Sequence, residues 1–216
     1  GLALVIVGFA FKVASAPFHQ WAPDVYEGAP TSVTAFMAIT VKVAAFMALL
    51  RLLTQAFGPV AAGLTDLFWV LAAATIVIGN VMAVIQNNLK RLLAYSSIAH
   101  AGYILIGFAT GSIESYGAVL FYLLVYVFTN LGAFAVLVTL SEAGHDCDSF
   151  DDLAGLARQR PGLAALLTIF ALSLAGIPGT AGFVAKFVLF KAAVASGETV
   201  LAIIGVLGSV VSVYYY

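Results

Sequence analysis

The sequence predicts an all-α polytopic membrane protein of about seven transmembrane helices, two of them broken. Three observations predict that class. Of the 216 residues, 63% are hydrophobic and 9% charged, with a mean hydropathy of +1.09; a soluble domain averages nearer half apolar and about a quarter charged. The apolar residues gather in windows long enough to cross a hydrocarbon core of about 30 Å, which takes roughly 20 residues at about 1.5 Å each. Two of those windows run into clusters of Pro and Gly. Nothing has the ten-residue polar and apolar alternation of a β-barrel strand.

The first helix is expected from Gly1 to about Ser15, where "APFHQWAPDVYEGAP" brings Pro17, Pro23 and Pro30 among polar and aromatic residues. Val33–Leu53, Asp66–Gln86, Leu92–Thr110 and Tyr116–Leu140 follow as uninterrupted windows. The sixth, Pro161 to about Ala195, would reach roughly 50 Å as one helix, too long for a single crossing. It is expected to break at "LAGIPGTAGF", where Pro178 removes an amide donor and Gly176, Gly179 and Gly182 permit non-helical backbone. Thr199–Tyr216 is the last. Irregular backbone at membrane depth survives only when packed in protein or lining a wet cavity. The two interrupted helices lie five crossings apart and so run in opposite directions, as an inverted repeat requires; ordinary Pro and Gly kinks give the same spacing.

The chain opens without Met inside one apolar run and closes inside another at "SVYYY", as expected for a piece of a longer protein. Its start lacks the basic region and cleavage site of a signal peptide. A single cysteine, Cys147, excludes an intrachain disulfide. Net charge is -1, and no basic patch argues for nucleic acid. Lys90, Arg91, Arg158 and Arg160 fall on the side of the loop after the first helix, against Arg51 and Lys191 opposite, so that loop's side is the better cytoplasmic candidate.

The informative residues are basic. Lys42 lies roughly 16 Å along its helix from Thr31, His100 roughly 13 Å beyond Arg91, and Lys186 roughly 15 Å before Ser196. Lys12 precedes the first break, at a depth set by how that break is built. A lysine at a helix centre costs about 2.5 to 3.5 kcal/mol on insertion scales, so several are expensive as decoration. Snorkelling to the interface suits Arg51, Lys90, Arg91 and Lys191 near helix ends, but a lysine stem of about 6 Å cannot span half the core from Lys42. Removal from water disfavours a charged form, which makes a buried basic group a proton carrier, and a row of them reads as a relay. In "YSSIAHAGY", Ser96, His100 and Tyr103 are spaced four and three apart on one helix face, which could hydrate a pathway or bond a neighbouring helix. Thr129 and Asn130 could face the same interior or serve helix packing.

The loop "SEAGHDCDSFDD" offers His145, Asp146, Cys147 and Asp148, whose spacing fits no four-ligand zinc pattern; a solvated acidic loop is the expectation. No Walker loop, dinucleotide fingerprint, catalytic triad or cysteine cluster for haem or iron–sulfur is present in the sequence, so redox chemistry is expected elsewhere.

The segments "FKVASAPFHQWAPDVYEGAPT", "NNLKRLLAYSSIAHAGY" and "LSLAGIPGTAGFVAKF" closely resemble the antiporter-like membrane subunits of respiratory complex I, the proton-pumping NADH:quinone oxidoreductase. "PFHQWAPDVYEGAP" and "GIPGTAGFVAKF" are most similar to the subunit N type, which includes mitochondrial subunit 2 and its chloroplast counterpart. The resemblance implies two inverted five-helix repeats, with residues 1–57 ending the first and 58–216 forming the second. It implies that Lys12 is the broken-helix lysine of proton loading and Lys42 the connecting lysine. His100 would begin the far half of the relay and Lys186 would end it, with Pro17, Pro178 and Gly179 at the helix breaks. The glutamate that pairs with the first lysine would lie upstream of this chain. Also implied are no cofactor in this chain, with FMN, iron–sulfur clusters and quinone in other subunits. The expected partners are other membrane subunits, antiporter-like ones included, and the lipid bilayer. The bacterial inner membrane is the expected location, or an organelle inner or thylakoid membrane. A cation/proton antiporter of Mrp type, a membrane-hydrogenase subunit and a purely structural subunit are the rival readings.

Overall fold

The computed structural model describes residues 1–58, 62–141 and 147–216, and is helical with no named strand among them. Helix α1 is Leu2–Val13 and α2 is Trp21–Gly28. Helix α3, Thr31–Ala56, is continuous but contains two π turns, Met37–Val41 and Leu52–Ala56. Then come α4 (Thr65–Val84), α5 (Leu89–Thr110) and α6 (Ile113–Leu140). After the single turn α7 (Leu156–Gln159), α8 (Pro161–Ala175) and α9 (Ala181–Ala195) are the two halves of the expected broken helix, and α10 is Thr199–Tyr215. Among the described residues, four helices, α3 to α6, are long and apolar enough to cross a membrane, while α1, α8 and α10 are shorter apolar helices.

Several boundaries differ from the sequence expectation by up to three residues, and capping explains that of α6. Helix α6 starts at Ile113 rather than Tyr116 because the Ser112 hydroxyl accepts from the Ser115 amide. Helix α3 begins at Thr31, directly after Pro30, which is held in an extended conformation.

Helix α5 is the axis of the bundle. It is the least apolar of the four long helices and the one whose apolar window is enclosed throughout. That placement follows from polarity, since Ser96, Ser97 and His100 are cheaper against other helices than against lipid. Helix α4 lies along it most extensively, with α2, α6, α9 and α10 around the remainder. Close approach of α4 and α5 requires Gly79, where a Cβ would come 2.6 Å from the Ala99 nitrogen. The outward faces of α4, α6, α9 and α10 carry exposed Val, Leu, Ile and Phe, as lipid contact demands.

Around the start of α5 the polar residues fasten the loops. Arg91 pairs with Asp24 at 2.7 Å and Glu27 at 2.6 Å, and its Nε donates to Gln86. Lys90, expected to snorkel, is instead buried: its ammonium donates to the Ala29 carbonyl and stands 4.0 Å from Asp148. Helix α2 folds over this end of α5 and covers it. Within the acidic loop, Cys147 is buried and its amide donates to Ser141, while His145 and Asp146 lie outside the described residues.

Candidate functional site

Lys42 is the first residue after the π turn of α3 and is 3% exposed. Its ammonium donates to the Ser97 carbonyl at 2.6 Å and to the Ser97 hydroxyl at 2.9 Å. The serine hydroxyl in turn donates to the Ala94 carbonyl. Beside this pair the Tyr126 hydroxyl donates to the Ala38 carbonyl, inside the π turn.

Three residues beyond Ser97 on α5 stands His100, 5% exposed, with Nδ1 2.7 Å from the Tyr122 hydroxyl. Its ring is packed among Tyr103, Tyr122 and Tyr126, with centroids 5.3–5.9 Å away. A small cavity of about 10 Å³, near the size one water needs, adjoins His100 between Thr129 of α6 and Ser173 and Gly182 at the second break. The Thr129 hydroxyl donates to its own helix, and the Asn130 amide donates to the Tyr126 carbonyl.

Lys186, 4% exposed, is built into the broken helix. Helix α8 ends at Gly176, whose φ of 85° is left-handed and costs glycine nothing. The amides of Gly176 and Ile177 turn back to the Leu172 carbonyl, which leaves later carbonyls at the negative end of the helix open. Lys186 fills that place: its ammonium donates to Leu174 O at 3.0 Å, Ala175 O at 2.7 Å and Ser209 Oγ at 2.9 Å. Three ammonium protons thus meet three oxygens, and the face of the Tyr103 ring lies 4.9 Å from Nζ. Ser209 and Ser212 of α10 also donate to Ala175 O. Gly182 holds the two half-helices together, its amide donating to Ser173 Oγ and a Cβ there colliding with the Ser173 carbonyl. Pro178 and Gly179 form the exposed turn between the halves.

Lys42, His100 and Lys186 are therefore joined through one face of α5, by Ser97, His100 and Tyr103 at spacings of three. Sequence reasoning chose Ser96 for that strip; Ser96 instead pairs with the Tyr216 hydroxyl. It also missed Tyr122 and Ser209, for which the available signal was a phenol or hydroxyl in an apolar helix that needs a partner when buried. Lys12 is not gathered with the other three. It lies in the last turn of α1 and is exposed. Pro17 falls in the link between α1 and α2, where the Ser15 hydroxyl and Ala16 amide are both satisfied by Thr75 of α4. Among the described residues, no group of three or more His, Cys, Asp and Glu is placed to hold a metal.

The NADH:quinone oxidoreductase/Mrp antiporter transmembrane family matches residues 1–212. NADH-quinone oxidoreductase subunit N of Trichlorobacter lovleyi is 55% identical over the whole chain, which covers 44% of that protein. The corresponding subunit of Bdellovibrio bacteriovorus is 49% identical, the whole chain covering 46% of it. The chain thus spans less than half the length of these relatives. Among solved structures, a chain of respiratory complex I from Thermus thermophilus superposes with a TM-score of 0.87 at 44% identity, over 100% of this chain and 47% of that one. A chain of the Mrp complex from Dietzia superposes at 0.92 with 30% identity, over 99% and 40% respectively. With matches of this identity running the length of the sequence, the chain belongs to the NADH:quinone oxidoreductase/Mrp antiporter transmembrane family.

Proposed function

We propose that this chain is part of a proton-translocating membrane subunit of an NADH:quinone oxidoreductase, of the subunit N type, in a bacterial inner membrane beside other membrane subunits. The observation that carries the reading is the line of basic groups along one face of α5: Lys42 on Ser97, His100 within hydrogen-bond reach of Tyr122, and Lys186 against Tyr103. Each can hold a proton on nitrogen and release it to a neighbour. A lysine that passes its proton on becomes a neutral amine able to accept the next one. Hydroxyls of Ser97 and Tyr122 both donate and accept, so they can bridge such transfers.

On this reading residues 1–57 close one five-helix repeat and 58–216 form its inverted partner. The two helix breaks support that, each ending its first half in a left-handed residue, Ala14 and Gly176. Lys12 is the loading group, completed by chain or subunits outside this sequence. FMN, iron–sulfur clusters and quinone belong to other subunits of the complex, where quinone reduction drives the cycle.

The test is replacement of Lys42 or Lys12 with Met in the intact complex, with proton pumping measured against NADH oxidation. The expected result is pumping lost relative to oxidation in each; full pumping in both would sink the role. Likeness to the Mrp complex keeps a cation/proton antiporter as the second reading. Transport that requires Na⁺ in vesicles would favour it.

A further inference from the structure

We propose that Asn80 is a positioning residue that holds the Tyr103 ring as a spacer between His100 and Lys186, so that protons pass between them when the ring moves aside. The inference rests on the path proposed above.

Tyr103 is 1% exposed and touches both carriers. His100 meets its ring edge to face at 5.8 Å, and the Lys186 ammonium lies 4.9 Å from its centroid. A ring attracts an ammonium but offers no lone pair to accept a proton. The part of Tyr103 that could relay one, its hydroxyl, is anchored on α4 by Asn80, whose Nδ2 donates to it at 3.2 Å. The amide cannot readily let go, because every end of it is engaged. Nδ2 also donates to the Ile76 carbonyl at 2.8 Å, and Oδ1 accepts from the Tyr215 hydroxyl at 3.0 Å. One side chain of α4 thereby ties α5 to α10. Gly208 closes the site from α10, where a Cβ would come 3.0 Å from Nδ2 and 3.1 Å from the Tyr103 hydroxyl. Phe190 buttresses the ring from α9 at 6.1 Å. A buried amide in an apolar helix is costly unless satisfied, and here its satisfied bonds converge on one ring.

The experiment uses the intact complex in sealed vesicles, with protons pumped per NADH oxidised as the main readout. Asn80→Leu and Tyr103→Phe each remove the amide–phenol bond and keep the ring. Each is expected to raise slip, roughly fivefold for one lost buried hydrogen bond, while NADH oxidation continues. Because Tyr103→Phe removes no bond that Asn80→Leu does not already remove, the double variant should be no worse than Asn80→Leu alone. Tyr103→Leu, which removes the ring, should slip further. Infrared spectra with labelled tyrosine should show the Tyr103 phenol band displaced by Asn80→Leu, a change that a loss of packing alone would not produce in that one band. Additive effects in the double variant, normal stoichiometry in assembled Tyr103→Phe, or an unmoved band would each overturn the spacer. Lys186→Met is the separate control. If it pumps fully, the path fails; if it stops pumping while Asn80→Leu pumps normally, the path stands and the spacer falls.

Discussion

The two helix breaks use the same device and dispose of their lysines in opposite ways. Helix α1 ends at a left-handed Ala14 (φ 58°) and α8 at a left-handed Gly176 (φ 85°). At the first break the Phe11 carbonyl, which accepts from the Ala14 amide, also accepts from the Trp21 indole at 3.0 Å, and Lys12 faces outward. At the second, Lys186 itself takes the open carbonyls. The difference lies in which half carries the lysine. Helical side chains lean toward the N-terminus. From the second half-helix Lys186 leans back onto the end of the first, whereas Lys12, at the end of its half, leans away from the break. A proline and a lysine in one segment do not by themselves make a lysine-capped helix end; their order does.

That contrast can be broken by substitution. The largest expected effect is Lys186→Met, which leaves the Leu174 and Ala175 carbonyls without their charged donor and should cost about 2–3 kcal/mol. Lys12→Met should change stability by less than about 0.5 kcal/mol. Thermal unfolding of the purified complex compares them, and equal losses would remove the distinction. Next is Gly182→Ala, whose methyl must displace the Ser173 carbonyl, at about 1–3 kcal/mol by the same measurement. At the left-handed caps the sign should reverse between the breaks. Gly176→Ala should lose about 1–2 kcal/mol, while Ala14→Gly should gain up to about 1 kcal/mol. A loss at Ala14 would mean that its methyl packing outweighs its backbone strain. The smallest loss apart from the near-neutral Lys12→Met is that of Trp21→Phe, which removes one indole donor from Phe11 for about 0.5–1 kcal/mol.

Helix positions and the existence of both breaks were legible because apolar windows and Pro/Gly clusters report directly on lipid contact and backbone freedom. Lys42, His100 and Lys186 were legible as buried because their depth follows from residue count alone. Rotation about each helix axis was not. Ser96 and Ser97 differ by about 100°, and only the position of α3 decides that Ser97 receives Lys42. Lys90 was misjudged because its burial depends on α2, a polar half-helix with no apolar window to announce that it folds back. Tyr122, Asn80 and Ser209 were missed for a related reason: each acts on a residue from another helix, and a single sequence carries no record of that adjacency.

The π turn at Met37–Val41 sets a phase. A π turn closes on one residue more than an α turn, and each helical residue turns about 100°. Were that segment to relax to ordinary α pitch with its residues unchanged, everything after it would rotate by most of that angle, and the Lys42 ammonium would swing off Ser97 toward a neighbouring face. The irregular turn therefore acts as a phase shifter: the heading of the central lysine is encoded as a count of residues one turn earlier, where no charged side chain marks it.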